Sequence, residues 1–225
     1  MAQFHDYTDR KFDAKVYDTE YFVGGEKSGY GDYAGCEGIV RDQYRMMSDV
    51  MKGRTDKRTA LDAACAYGYS TSELNRQGWD AVGFDISEHA IGKAKQLHGD
   101  GFHLASAMDS SFYKQFSDKQ FGIVTGVEFF EHIESKDVPG VLKQFARVAD
   151  WGCFVINGRT APHQGLDSIH GDHGHLNNHL MSWWVSEMAK VGDVDFEAMG
   201  QLNRLFFSYN QSIQWHDRVF VVRFN

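Results

Sequence analysis

The stretch LDAACAYGYST, residues 61–71, is the most informative segment of this 225-residue sequence. A short apolar run, TALDAA, begins at residue 59 and is too short to form a helix. A turn containing Gly68 follows it, and a helical pattern then continues through Leu74. The segment therefore predicts a strand, a turn and a helix. Small residues in such a turn let backbone N–H groups approach a nucleotide or a carboxylate closely.

The following segment has the same organisation. AVGFD, residues 81–85, predicts a second strand, and Ser87 is suited to cap the helix after it. Asp85 ends this strand and lies 17 residues after Gly68. A carboxylate at such a position can accept hydrogen bonds from both hydroxyls of a ribose. Together the two segments indicate an adenosine-containing cofactor.

Three more apolar runs continue the alternation of strands and helices. FHLAS (102–106), FGIVTGV (121–127) and CFVING (153–158) predict strands three to five of a mostly parallel sheet. Ser135 is predicted to cap the helix before the fifth strand, and Ser182 the helix after it. The segment between residues 159 and 180 is polar and rich in histidine, which is typical of a functional loop.

The C-terminal part predicts a different kind of strand pairing. DVDFEAM (193–199) alternates as a strand does, and RVFVVRF (218–224) is a second strand-like run. No helical pattern of useful length is apparent between them. We therefore expect an antiparallel pair at one edge of the sheet.

The composition indicates a single globular domain covering residues 1–225. Hydrophobic residues make up 42% of the chain, and its interior offers no linker-like stretch. The net charge of −8 argues against nucleic acid as a partner, because binding to phosphates depends on clustered lysine and arginine. The first thirty residues contain no apolar run typical of a signal peptide or a membrane span. Three widely spaced cysteines fit reduced thiols, so we expect a cytoplasmic protein that does not associate with membranes.

Several of these segments resemble the motifs of class I S-adenosylmethionine (SAM)-dependent methyltransferases. LDAACAYGYST is similar to the family's glycine-rich motif, usually LDVGCGxGxxT. AVGFDISEHAI (81–91) resembles its second-strand segment, and VTGVEFFEHIES (124–135) the stretch after its fourth strand. DHGHLNNHLMSWWVSEMAKVG (172–192) resembles a region of bacterial and phage methyltransferases that act on sugars or other small acceptors. The resemblance covers residues 59–192.

The resemblance implies a Rossmann-like α/β fold with one seven-stranded sheet and helices on both of its faces. The implied strand order is 3-2-1-4-5-7-6, with strand 7 antiparallel. That late antiparallel strand is a hallmark of the family, and it agrees with the strand pair predicted at the C-terminus. Residues 38–225 would form the SAM-binding core, and residues 1–37 an N-terminal arm.

The resemblance also implies the cofactor, SAM, and the residues that bind it. Asp62 and Gly68 would surround the methionine part, Asp85 would bind the ribose, and Val127 and Glu128 would line the pocket near the methyl group. The adenine would contact the segment 106–108. The full set of expected cofactor-binding residues is Asp62, Ala64, Gly68, Asp85, Ile86, Ser106, Ala107, Met108, Val127 and Glu128.

The sequence departs from the family pattern at three of these places. Ala64 and Ala66 stand where the family usually has glycine, and Ser106 stands where it usually has an acidic residue that binds adenine. If the two alanines must adopt a positive φ, each costs about 1 kcal/mol relative to glycine. We expect weakened rather than abolished SAM binding.

The implied reaction is methyl transfer to an oxygen, in preference to a nitrogen, of a small-molecule or glycan-like acceptor. A hydroxyl acceptor gains from a general base, and His132, His175 and His179 are the candidates. Asn177, in the region that resembles the sugar-acting enzymes, is a candidate contact to the acceptor. The histidine-rich segment invites a metal site, but its spacing matches no strong metal-binding signature, so we expect no metal there.

The N-terminal arm is rich in aromatic residues and glycine, and two roles remain open for it. Tyr30 and Tyr33, with Tyr21 and Phe22, could form a lid that covers the acceptor and excludes water. They could equally form an apolar patch that packs the arm onto the sheet.

Two alternative functions are compatible with parts of the sequence. A nicotinamide-dependent (NAD) dehydrogenase shares the first strand–helix–strand unit, but the missing GxGxxG and the late antiparallel strand count against it. A SAM-binding or structural protein without catalysis is conceivable because of Ala64, Ala66 and Ser106. The sequence does not determine the oligomeric state.

Overall fold

The computed structural model describes residues 11–24, 28, 31–157, 175–177, 179–209 and 218–225. One sheet of seven strands, in the order β3-β2-β1-β4-β5-β7-β6, forms its centre. The strands are β1 Thr59–Ala63, β2 Asp80–Asp85, β3 Phe102–Leu104, β4 Phe121–Val127, β5 Ala149–Val155, β6 Gly192–Val194 and β7 Val219–Phe224. β1 to β5 pair in parallel, whereas β7 runs antiparallel to both β5 and β6. This arrangement confirms the predicted fold class and strand order.

Helices cover both faces of the sheet, as predicted. They are α1 Thr19–Val23, α2 Glu37–Lys52, α3 Tyr69–Arg76, α4 Glu88–His98, α5 Ser110–Tyr113, α6 Val138–Val148, α7 Met181–Met188 and α8 Phe196–Tyr209. On one face, side chains of α5, α6 and α7 pack with strand residues into the larger buried cluster. On the other face, α2, α3 and α8 form the second cluster. Burial from both sides explains why β4 reads as a continuous apolar run.

Local sequence features explain where two of the helices beside the site begin and end. Ser87 caps α4 as predicted, because its side chain accepts a hydrogen bond from the backbone N–H of Ala90. α2 ends at Gly53, and an apolar row including Tyr44, Met47 and Met51 faces the sheet. No helix in the described ranges is long and apolar enough to cross a membrane.

Four details of the secondary structure differ from the sequence-based prediction. The capping prediction for Ser135 was wrong: α6 begins after Asp137, and Ser135 bonds instead to His179. Ser182 lies inside α7, which begins after Leu180, so that capping prediction was wrong too. β5 begins at Ala149, four residues before the predicted run.

The largest difference is α8, a helix of 14 residues that the sequence analysis placed in strand and irregular structure. Only Ala198, Leu202 and Phe206 of this helix are buried, against α2 and the sheet. The first residues of this helix, 196–199, belong to the segment DVDFEAM, whose alternation was interpreted as a strand.

Candidate active site

The turn between β1 and α3 adopts an unusual backbone conformation. Ala64, Ala66 and Gly68 all have positive φ, at 56°, 47° and 78°. For an alanine this left-handed conformation costs about 1–2 kcal/mol, which packing around the turn must offset. Both alanines therefore adopt the positive φ at which we expected them to cost free energy relative to glycine.

Glycine is required at only one of these three positions. A Cβ on Gly68 would lie 2.6 Å from the ring of Phe102, in addition to the positive φ. Gly68 is the N-cap of α3, so its compactness lets the helix begin directly against β2 and β3. This residue shapes the turn but does not line the cavity described below.

Asp62 lies near the end of β1, just before this turn, and is completely buried. Its Oδ1 accepts hydrogen bonds from the hydroxyls of Tyr44 (2.8 Å) and Thr125 (3.0 Å). Its Oδ2 accepts from those of Ser70 (2.6 Å) and Thr71 (2.7 Å). Burial raises the pKa of Asp62, and the hydroxyl donors oppose that rise. The carboxylate joins α2, α3 and β4 to β1, and it lies behind the wall of the cavity rather than in it.

Asp85 ends β2 and is used differently. Each of its oxygens accepts one short backbone hydrogen bond, Oδ2 from Ala66 (2.9 Å) and Oδ1 from Ser87 (2.8 Å). Burial raises the pKa of Asp85 to about 6, although these N–H donors lower it. The side chain is 7% exposed, and that exposed part faces a cavity. Because a carboxylate has about four acceptor positions, Asp85 retains capacity for further donors.

The cavity lies at the carboxyl ends of β1, β2 and β4, where ligands bind in open α/β sheets. The space between its walls, including open solvent at the mouth, is about 780 Å³. The lining includes eight of the ten residues that the sequence assigned to the cofactor: Ala64, Asp85, Ile86, Ser106, Ala107, Met108, Val127 and Glu128. The two alanine methyl groups form part of the wall and leave the cavity open.

The N-terminal arm forms the outer wall of this cavity. Phe12, Tyr17, Tyr21, Phe22 and Tyr33 all line it. The arm is attached by a hydrogen bond from Ser87 Oγ to the carbonyl of Tyr17 (2.6 Å) and by the stacking of Phe22 on Tyr67, with ring centroids 5.3 Å apart. The same aromatic side chains therefore pack against the core and line the cavity. Tyr30, a predicted lid residue, lies outside the described residues.

His132 is the candidate base that the structure brings to the cavity. It ends a short 3-10 turn, Phe130–His132, that follows Glu128, whose φ of 51° turns the chain sharply at the end of β4. Its Nδ1 is hydrogen-bonded to the hydroxyl of Tyr17 (3.1 Å). His175 lies directly beside it, with ring centroids 4.7 Å apart, and is only 8% exposed.

The other predicted acceptor-side residues lie farther back. His179 stacks on Trp183 at 3.8 Å between ring centroids and bonds to Ser135 (2.8 Å), and it does not line the cavity. Asn177 is 2% exposed, and its backbone N–H donates to the carbonyl of Glu131 (3.0 Å). His170, Asp172 and His173, the rest of the histidine-rich segment, lie outside the described residues.

Glu131 is a residue that the sequence analysis did not single out. It is completely buried, and its Oε1 accepts a hydrogen bond from the backbone N–H of Asn157 (3.2 Å). Burial raises the pKa of Glu131 well above its usual range, and the nearby carboxylate of Glu128 raises it further. A signal was present in the string EFFEH, which places two carboxylates and a histidine within five positions. Tyr17 was missed as well, and nothing in its surrounding sequence points to His132.

Comparison with known proteins gives one family and one curated relative. A family model described as "Methyltransferase domain" matches residues 41–218. The chain is 30% identical over 107 residues to the ubiquinone biosynthesis O-methyltransferase of Methylococcus capsulatus (strain ATCC 33009 / NCIMB 11132 / Bath). That match covers 44% of this chain and 42% of the relative, so the chain spans less than half of that relative's length.

Solved structures share the fold over a larger part of the chain. A SAM-dependent methyltransferase from Archaeoglobus fulgidus has a TM-score of 0.59 at 18% identity, covering 71% of both chains. The magnesium protoporphyrin IX methyltransferase of Synechocystis PCC 6803, solved with S-adenosylhomocysteine bound, has a TM-score of 0.52 at 16% identity. That likeness covers 81% of this chain and 82% of the other. At these identities the likeness is one of fold.

Proposed function

Because the chain belongs to the family of SAM-dependent methyltransferase domains, we propose that it transfers the methyl group of SAM to an oxygen of a small-molecule or glycan-like acceptor. Nitrogen is the second choice of acceptor atom. The observation that carries the proposal is the cavity at the strand ends, with the Asp85 carboxylate facing into it. The name of the curated relative, an O-methyltransferase, supports oxygen. The glycan-like alternative rests on the resemblance of residues 172–192.

The described residues fit a nucleoside bound in this cavity. Asp85 has acceptor capacity for ribose hydroxyls beyond its bonds to Ala66 and Ser87. Ser106 uses its hydroxyl oxygen to accept from the N–H of Met108 (3.2 Å), which shapes the loop assigned to the adenine. The cavity stays open beside the methyl groups of Ala64 and Ala66. Asp62 and Gly68 would act through the shape of the turn.

SAM supplies a methyl group on a positively charged sulfur, and the protein has to align it with the acceptor and exclude water. Alignment and desolvation are worth up to about 7–11 kcal/mol in favourable cases. The aromatic side chains of the arm, including Tyr21 and Phe22, are suited to exclude water because they line the cavity opposite the strands. Val127 and Glu128 form the wall on the β4 side, where the acceptor would meet the methyl group.

His132 is the candidate base because it alone of the three predicted histidines lines the cavity. Its hydrogen bond with Tyr17 orients the ring. In its neutral form one ring nitrogen can accept the proton that an acceptor hydroxyl loses, a contribution of typically ~10²–10⁴ in rate. His175 lies directly beside His132, whereas the acceptor contacts predicted for Asn177 and His179 have no support from their positions outside the cavity lining.

Titration calorimetry with SAM and with NAD tests the cofactor assignment. We expect SAM to bind and NAD not to bind. Asp85→Asn should weaken SAM binding by about 10–100-fold, because hydrogen bonds to a charged acceptor contribute about 1.5–3 kcal/mol each. Asp80→Asn, at the exposed start of the same strand, is the matched control and should change nothing. Binding of NAD alone would overturn the proposal.

Incubation with SAM labelled in its methyl group tests the reaction. We expect transfer to a member of a panel of phenols, sugars and nucleotide sugars, with release of S-adenosylhomocysteine. Binding of SAM without transfer to any acceptor would favour the alternative of a SAM-binding protein without catalysis. The methyl groups of Ala64 and Ala66 in the cavity wall are the observation in favour of that alternative.

A further inference from the structure

Three potential metal ligands from two distant segments converge beside the cavity, which one of them, His132, lines. Glu131 and His132 come from the turn after β4, and His175 follows the segment after β5. One ligand atom of each lies within 4.8 Å of the corresponding atoms of the other two. Sequence analysis placed His132 and His175 among the candidate bases, but it did not single out Glu131.

The surroundings of this group are unusual for side chains with an ordinary packing role. Glu131 is completely buried; no N–H donor among the described residues reaches its Oε2, and the side chain beside it is a second acid, Glu128. Leaving a buried carboxylate oxygen without such a donor is costly, so such an atom calls for an explanation. Asn177, held at the carbonyl of Glu131, likewise has neither its side-chain oxygen nor its nitrogen bonded within the described part. A positive ion beside Glu131 Oε2 would supply a favourable partner.

We propose that Glu131, His132 and His175 bind one divalent metal ion such as Zn²⁺ or Mn²⁺. Two imidazoles and one carboxylate form a ligand set typical of such ions. The three side chains would close on the ion by rotation, since ligand atoms lie about 2.0–2.2 Å from zinc.

The hydrogen-bond partners of the ligands suit this role. With Nε2 of His132 as the ligand atom, its Nδ1–H would donate to the hydroxyl of Tyr17, which already bonds to this nitrogen. Metal-binding histidines usually donate their second ring N–H in this way, and the bond fixes the ring orientation. The backbone also holds the group together, because the N–H groups of Leu176 and Asn177 both donate to the carbonyl of Glu131.

The position of the ion next to the cavity indicates what it would do, and this part rests on the proposed function. An ion with three protein ligands keeps a position for an acceptor hydroxyl, whose pKa it lowers. The O–H proton leaves to solvent, the oxygen bonds to the methyl carbon, and the S–CH₃ bond breaks with its electron pair remaining on sulfur. The ion would then replace direct proton removal by His132.

Metal titration of the purified full chain tests the site without any reaction. After treatment with EDTA and dialysis, we expect one equivalent of Zn²⁺ to bind in calorimetry, and one of Co²⁺ to give visible absorption bands. Glu131→Gln and His175→Ala should each weaken binding by at least about 100-fold. His103→Gln, at the outer strand β3 and away from the cavity, is the matched control and should bind as the unmodified protein does. Thermal melts identify any variant that fails to fold, and the conservative Glu131→Gln retains the shape of the side chain.

The outcomes separate this inference from the proposed function. Absence of binding, or equal binding by the folded Glu131→Gln and His175→Ala variants, would overturn the metal site whatever the activity. Methyl transfer that is unchanged by EDTA would exclude the catalytic role of the ion and leave the methyltransferase assignment intact. Metal binding together with a failure to bind SAM would contradict the proposed function alone.

Discussion

The ends of β1 and β2 each carry a buried aspartate, and the two are used in opposite ways. Asp62 accepts four hydroxyl donors, two on each oxygen, and does not reach the cavity. Asp85 accepts one short backbone hydrogen bond on each oxygen and faces the cavity. The number of donors supplied by the protein decides the difference: a saturated carboxylate stabilises the fold, and a half-satisfied one has capacity for a ligand.

Removing the saturated carboxylate should have the largest effect. Asp62→Ala leaves four buried hydroxyl groups without their acceptor, and we expect the free energy of unfolding to fall by about 3–5 kcal/mol. Asp62→Asn keeps one carbonyl acceptor and should cost about 1–3 kcal/mol. Urea denaturation measures both values, with Asp80→Ala as the surface control expected to change stability by less than about 0.5 kcal/mol. If Asp62→Ala were as stable as that control, the contrast between the two aspartates would be lost.

The half-satisfied carboxylate should make cofactor binding depend on pH. Asp85 has a pKa of about 6 in the folded protein, so its charged form is lost as the pH falls through that value. Below about pH 6 the apparent affinity for SAM should drop by up to tenfold per pH unit. Calorimetry between pH 5 and 8 checks this, and the weaker binding by Asp85→Asn should be independent of pH over this range. A flat profile for the unmodified protein would show that the charge of Asp85 does not matter.

The raised pKa of Asp85 makes stability depend on pH in the opposite direction from SAM binding. Because the folded-state pKa is raised, the folded protein binds a proton before the unfolded chain does as the pH falls from about 6 towards 4. The contribution of Asp85 to stability therefore increases on acidification and is lost as the pH rises through 6. Acid thus favours folding at this residue while it weakens binding.

The alanines of the turn between the two aspartates should have the smallest effect. Ala64→Gly and Ala66→Gly each remove the cost of a left-handed φ at an alanine, which stabilises the folded protein by about 1–2 kcal/mol. Each also makes the unfolded chain more flexible, which lowers stability by about 0.4–1 kcal/mol. We expect each to stabilise the protein by about 0.5–1 kcal/mol in thermal or urea unfolding. Ala60→Gly, in the extended part of β1, is the matched control and should destabilise it. Destabilisation by all three would mean that the turn carries no strain.

The cofactor side of the molecule was largely predictable because its signals are local. A strand, its turn and the next helix are adjacent in sequence, and the end of β2 follows Gly68 by only 17 residues. Eight of the ten residues that the family resemblance assigned to the cofactor line one cavity. Asp62 shows the limit, since its donors Tyr44 and Thr125 come from α2 and β4, and no local pattern shows that they saturate it.

The acceptor side depends on segments far apart in the chain. Tyr17 bonds to His132 across 115 residues, and His175 meets His132 only after β5 has returned to the sheet. Glu131 was overlooked because a glutamate after a strand is ordinarily a solvated residue, and only the fold buries it. The helix α8 was missed because its first residues were interpreted as part of an alternating strand, DVDFEAM.

Taken by itself, the sequence determined most of the strands and the family motifs, since hydrophobic periodicity and the motifs of a turn act over a few neighbouring residues. The strand order came from the family that those motifs resemble. The tertiary structure decided which buried carboxylate is saturated and which is available. It also decided which histidines reach the cavity and which residues close it from outside. These properties depend on hydrogen-bond donors and ring contacts delivered by distant segments, and such partners meet only when the chain has folded.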